Sequence, residues 1–163
     1  MNAMAQAGRS PRITPSILDR LFDNAPAEAQ DPPSKAGQDL ENFKASVRRD
    51  LEALLNTRRE ALGNLGAYPQ AQRSLLTYGL PDFTSLTGQS EEDRIRMREL
   101  IEQAIADFEP RLRNVTVTIG TREGAKHQLS FRVDALLRTD PVPAPVTFDA
   151  VLQLSTQQYQ VKT

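Results

Sequence analysis

Apolar positions change rhythm near residue 110. Before it they recur every three or four residues; after it they alternate. Between about Gln38 and Arg58, Leu40, Phe43, Val47, Leu51, Leu54 and Leu55 mark one face of a helix, while Lys44, Arg48, Arg49 and Glu52 lie off that stripe. A second helix opens at Ser90. This serine stands three residues before Asp93, an acidic variant of the capping box, and Glu91 and Glu92 suit the positive end of the helix dipole. Ile95, Ile101, Ile105 and Phe108 form its expected stripe, with Leu100 and Ala104 beside them. Pro110 ends it, because a proline disfavours helical geometry at the preceding Glu109.

From there the period is two. Val115, Val117 and Ile119 alternate with Thr116 and Thr118, and the segment TREGAK turns the chain, with Gly124 as the positive-φ candidate. Leu129, Phe131, Val133, Ala135 and Leu137 alternate with Ser130, Arg132 and Asp134. The run DPVPAP at 140–145 is expected to be a stiff loop closed to central-strand pairing. Val146, Phe148, Ala150, Leu152 and Leu154 resume the alternation, and Gln158 to Val161 suits one more edge strand. Such one-sided alternation predicts a sheet with one buried and one wet face. The class is therefore α+β: two main amphipathic helices on one face of a small antiparallel or mixed β-sheet, with a short N-terminal helix.

The remaining segments are less regular. Residues 1–14 are small, polar and basic and read as a mobile arm. In PSILDRLFD, Ile17, Leu18, Leu21 and Phe22 cluster as one or two helical turns started by Pro15 and Ser16, too short to stand without docking on this domain or a partner. Residues 24–37 read as a linker. Residues 63–89 read as an ordered loop with at most a short helix near 70–76, anchored by Leu65, Tyr68, Leu75, Leu76, Tyr78, Leu80 and Phe83 and broken by Gly79 and Pro81. Two units result: residues 1–37 as arm, short helix and linker, and residues 38–163 as one α+β domain.

Composition narrows the chemistry. With 163 residues, no cysteine, one histidine and a net charge of -1, cysteine-based metal or redox sites and a global attraction to nucleic acid are excluded. No cofactor is expected. No apolar run approaches the ~20 residues of a membrane-spanning helix, so direct membrane insertion is not expected and a cytoplasmic location is. His127 has no second histidine or cysteine to share a metal. Asp107 and Glu109 lie two apart on a helix and point in different directions, which does not suit a glycosidase pair.

Two motifs stay open on residue chemistry alone. Glu109-Pro110-Arg111 is either a fixed recognition element, with Arg111 presenting a planar fork to a carboxylate, or a helix stop with solvated charges. Arg48, Arg49, Arg58 and Arg59 are either a basic patch for RNA or an acidic protein, or a salt-bridged solvated face, since Asp50, Glu52 and Glu60 are interleaved and no aromatic platform accompanies them.

Taken in series, SILDRLFD, SVRRDLEALLNTRR, SLLTYGLPDF and IADFEPRLRNVTV resemble TssE, the baseplate subunit family of type VI secretion systems among the phage baseplate-wedge proteins once labelled "lysozyme-like". The resemblance covers about residues 15–160. It implies a non-catalytic assembly component at the cytoplasmic face of the inner membrane that initiates sheath polymerisation by strand addition. The partners it implies are the wedge subunits TssF, TssG and TssK and the sheath subunits TssB and TssC. The family's Glu-Pro-Arg signature maps onto Glu109, Pro110 and Arg111 as the docking element, so Arg111→Ala is expected to lose incorporation while keeping the fold. Arg48, Arg49, Leu18, Leu21 and Phe22 are further expected contacts. A peptidoglycan hydrolase, from the old label, and an RNA-binding module are the alternatives.

Overall fold

A computed structural model provides the structure, which describes residues 13, 36–60, 63, 65–83, 90–121, 128–153 and 158–162. The expected N-terminal helix with Leu18, Leu21 and Phe22, the turn at Gly124, His127 and Leu154 lie outside the described residues.

Helix α1 spans Ala36–Asn56, so it starts inside the segment read as linker and stops short of Arg58. Its end is set by backbone competition. Leu80 N donates to Thr57 O (2.8 Å) and Arg59 N donates to Leu80 O (2.9 Å), so the chain after Asn56 enters a short parallel bridge instead of another helical turn. Gly79 makes that bridge possible. It sits at φ 103, and a Cβ there would lie 2.3 Å from Thr57 O. The stripe of α1 is as the spacing predicts: Phe43, Val47, Leu51, Leu54 and Leu55 are buried, with Leu40 packed at the margin.

Between the helices, three 3₁₀ turns, Leu65–Ala67, Ala71–Arg73 and Leu75–Thr77, replace the single short helix expected near 70–76. Ser74 Oγ accepts from Leu76 N, and Thr77 Oγ1 donates to Gln72 O (2.8 Å) and Ser74 O (3.0 Å). These local bonds hold the turns, and they aim their apolar residues outward: Leu75 is 87% exposed, Leu76 61% and Tyr68 66%. The expectation that these three anchor the loop is thus corrected. Leu80 does so, buried beside Tyr78 and Phe83.

Helix α2, Glu91–Phe108, begins as expected, with Asp93 N donating to Ser90 Oγ at 3.0 Å. Its buried face is Met97, Ile101, Ala104 and Ile105. Ile95 was expected in the stripe but is exposed, because two residues before Met97 is roughly the opposite side of a helix with 3.6 residues per turn.

The sheet is a four-stranded antiparallel meander, β1-β2-β3-β4. The strands are β1 (Leu112–Thr121), β2 (Gln128–Leu137), β3 (Ala144–Gln153) and β4 (Gln158–Lys162). One face carries Val117, Leu129, Phe131, Val133, Ala135, Leu137, Val146, Phe148, Ala150, Leu152, Tyr159 and Val161 into the core against both helices. β1 is longer than the alternation indicates. A bulge between Arg113 and Thr116, with Asn114 at φ 51, inserts one residue and flips the parity, so Leu112 and Val117 both face the core. The proline loop is shorter than expected. Ala144 pairs with Leu137 and Pro145 with Leu136, inside a strand that has neighbours on both sides. Pro145 is accommodated because β4 pairs only with Asp149–Gln153; at Pro145 β3 still has an open edge that needs no donor. Among the described residues no helix is long and apolar enough to cross a membrane.

Candidate functional site

Glu109-Pro110-Arg111 lies where α2 becomes β1. Pro110 prevents helical continuation, and Glu109 N makes the last helical bond, to Ile105 O at 2.8 Å. The chain then reverses tightly enough for Leu112 N to donate to Glu109 O (3.1 Å) and for Arg138 N to donate to Arg111 O (2.8 Å), which fastens the start of β1 to the end of β2.

The two charged side chains turn inward. Glu109 is only 4% exposed. Arg111 Nε donates to its Oε1 at 2.7 Å and Nη2 to Oε2 at 2.5 Å, a bidentate fork. The same guanidinium reaches α1, with Nη2 donating to Asp50 Oδ2 at 2.6 Å and Nη1 to Ser46 Oγ at 3.1 Å. It also lies 5.9 Å from the centroid of the Phe43 ring. Burial works to lower the Arg111 pKa, but Glu109 and Asp50 outweigh it and hold the group above its ordinary value, permanently charged. Tyr78 stands nearby, edge-on to Phe108 with centroids 5.2 Å apart, and burial followed by the charges of Asp50 and Glu109 pushes its phenol up. A single arginine therefore ties α1, the end of α2 and the start of β1.

This arrangement departs from the solvated helix stop. The charges are not solvated, and the fork of Arg111 is satisfied by carboxylates of its own chain. Pro110 is the exposed member of the tripeptide. An Arg111→Ala variant would leave Glu109 as a buried carboxylate without its main counter-charge, so the geometry predicts a loss of stability for this change.

The paired arginines separate. Arg49 is exposed beside Asp50, 3.1 Å away, and Arg58 lies beyond the helix, 4.0 Å from Asp82. Arg48 points along another side of α1, to Glu52 at 3.6 Å and to Val161 O of β4 at 3.2 Å. Two turns on, Asn56 continues that row. Its side-chain amide donates to Tyr159 O (2.9 Å) and accepts from Tyr159 N (2.8 Å), as a neighbouring strand would. Helix α1 thus has three working sides: the apolar stripe, Ser46 and Asp50 toward Arg111, and Arg48 and Asn56 toward the outer edge of β4.

The other sheet edge is treated differently. Glu102 on α2 accepts from Val117 N on β1 at 2.8 Å. A groove of about 410 Å³ runs beside it, lined by Glu99, Glu102, Gln103, Leu112, Asn114 and Val115 among others. Ser46, Asn56 and Glu102 were not singled out from the sequence, and Asp50 and Tyr78 were read only as an interleaved acid and a loop anchor. The one available signal is the i, i+4 spacing of Ser46 and Asp50, and of Arg48, Glu52 and Asn56, on flanks of the apolar stripe. Asp107 accepts from Gln103 while Glu109 faces Arg111, so the two carboxylates are not directed at one cleft.

A family model described as baseplate wedge protein gp25 matches residues 41–142, from the first turns of α1 to the loop after β2. No curated protein matches the chain. Among solved structures, a chain from "The baseplate complex from the type VI secretion system" is similar over 69% of this chain and 96% of that one, at 19% identity and a TM-score of 0.47.

Proposed function

The chain belongs to the baseplate wedge protein gp25 family, and we propose that it is a structural subunit of a type VI secretion baseplate that docks on the wedge and starts sheath polymerisation by accepting a strand. The observation that carries this reading is the extent of the family match, which spans both helices, the Glu109–Arg111 junction and two sheet strands. The ordered series of TssE-like segments directs it to the type VI system. The junction supports a passive, shape-holding role, since its charges are spent on one another and Pro110 is left exposed, where a wedge subunit could meet it. On this reading the partners are TssF, TssG and TssK in the wedge and TssB and TssC in the sheath. The protein works at the cytoplasmic face of the inner membrane, without catalysis of its own.

The test is direct. In cells carrying a fluorescent sheath subunit, loss of this chain should abolish sheath assembly, and the intact chain should restore it. Normal sheaths without it would overturn the proposal. Purified protein should leave cell-wall sacculi intact; reproducible loss of turbidity would return the hydrolase reading.

A further inference from the structure

The two edges of the sheet offer different opportunities to an added strand. On β4 three outward backbone groups are already used. Asn56 takes both the N–H and the C=O of Tyr159, and Arg48 takes the C=O of Val161. Helix α1 therefore occupies the place of a fifth strand over most of this short segment. A second chain would have to displace a two-point amide pair and a charge-assisted bond.

On β1 one outward group is engaged among the described residues. Val117 N donates to Glu102, a carboxylate on a half-buried side chain. In an antiparallel ladder outward and inward groups alternate along a strand, so Ile119 and Thr121 direct their backbone N–H and C=O the same way as Val117. Among the described residues no side chain is recorded on them. β1 is also twice as long as β4, ten residues against five. Along this edge Val115 and Ile119 remain partly exposed on the helix side, while Thr116 and Thr118 face solvent. The groove at the bulge carries two carboxylates, Glu99 and Glu102 on α2, opposite one cation, Arg113 on β1.

We infer that β1, from Val117 to Thr121, is the acceptor edge, that Glu102 is its displaceable guard, and that α1 closes the β4 edge through Arg48 and Asn56. The inference rests on the strand-addition reading above. The occupant is an extended segment of the next subunit, with apolar side chains directed toward Val115 and Ile119 and a basic residue at the level of Glu99 and Glu102. Main-chain bonds would supply the attachment, and the carboxylates of Glu99 and Glu102 the register.

Photo-crosslinking in the assembled apparatus tests this. With a photoreactive residue in place of Thr118 on β1 or Gln160 on β4, both exposed, a sheath cross-link is expected from position 118 and none from position 160. A sheath cross-link from 160 overturns the edge assignment while leaving strand addition standing. Normal sheath assembly with no cross-link from either position overturns strand addition itself. Variants sharpen the result. Ile119→Pro removes one outward N–H without touching the β1–β2 ladder, and Ile119→Ala controls for the side chain packed on the core, so both should incorporate into the wedge while the proline variant alone loses sheath initiation. Retained initiation in the proline variant would sink the proposal. Glu102→Ala should raise the cross-link yield from position 118; a fall would show that Glu102 helps to hold the strand and is no guard.

Discussion

The Glu109–Arg111 junction and the 3₁₀ segment at 65–77 reverse the usual placement of residue types. In the first, charged side chains are drawn in: Glu109 is buried and the Arg111 guanidinium bonds to Glu109, Asp50 and Ser46. In the second, Leu75, Leu76 and Tyr68 are turned out by a set of local backbone and hydroxyl bonds. Hydrophobicity sorts residues on average; a sufficiently complete hydrogen-bond set decides where one segment's side chains go. The junction accordingly belongs to the fold's stability and the 3₁₀ segment contributes little to it. That contrast can be broken experimentally.

The largest effect is expected at Arg111. Arg111→Ala leaves the Glu109 carboxylate buried without its fork and removes the tie to α1, at a cost of about 3 kcal/mol. Urea unfolding should show the loss as a lower midpoint. Replacing both members, Glu109→Gln with Arg111→Met, should cost clearly less than the single change, because no uncompensated charge then remains. If Arg111→Ala unfolds at the midpoint of the unaltered protein, the junction is not the knot described above.

Next comes Asn56. Asn56→Ala strips Tyr159 of partners for both its N–H and its C=O at the outer edge of β4, worth about 2 kcal/mol for two bonds. Hydrogen exchange should show Tyr159 deprotected well before the amides of β2. A uniform loss of protection across the sheet would instead mean that β4 is integral to global unfolding. Ser90→Ala, which removes the cap on Asp93 N, should cost about 1 kcal/mol by the same measurement, with no preferential effect on β4.

Tyr159 supplies a pH-dependent case. It is 5% exposed, its hydroxyl has no hydrogen-bond partner among the described residues, and burial pushes its phenol above the ordinary value of 10.0. The folded protein therefore holds a proton that the unfolded chain releases above about pH 10, so this residue's share of stability declines as pH rises past that point. Tyr159→Phe should flatten the alkaline slope. It should also leave stability at neutral pH equal or raised by up to about 1 kcal/mol, since an unpaired buried hydroxyl is removed. Lowered stability at neutral pH would show that the hydroxyl is paired.

Most of the architecture was legible in the alternation. Every buried position of β2 and the pairs Phe148/Ala150 and Tyr159/Val161 follow from period-two reading, and Ser90 fixed the start of α2. The departures have local causes. The bulge at Asn114 hides Leu112 because one inserted residue changes parity, and Pro145 joins β3 because β4 is too short to reach it. The candidate site was half legible. Glu109-Pro110-Arg111 stood out as a motif, yet Asp50 and Ser46 are 59 and 63 residues before Glu109, and their convergence on Arg111 is a property of helix packing that residue spacing does not carry. Asn56 and Glu102 were invisible for the same reason: what matters about each is a strand edge it meets across the fold.

The smallest expected effect completes the contrast. Leu75 and Leu76 are the most apolar pair in the inter-helix loop, and a reading by residue type alone assigns them to the core, with a penalty of several kcal/mol for polar replacement. Their exposure, 87% and 61%, predicts otherwise. The bonds that shape this segment come from Ser74, Thr77, Gln72 and backbone groups, and the leucine side chains take no part in them. Replacing both leucines with serine should shift stability by no more than about 0.5 kcal/mol and leave the denaturant slope unchanged. A loss above about 1 kcal/mol would mean that the segment packs against the body of the domain. The opposition between an inward-turned arginine knot and an outward-turned leucine pair would then collapse.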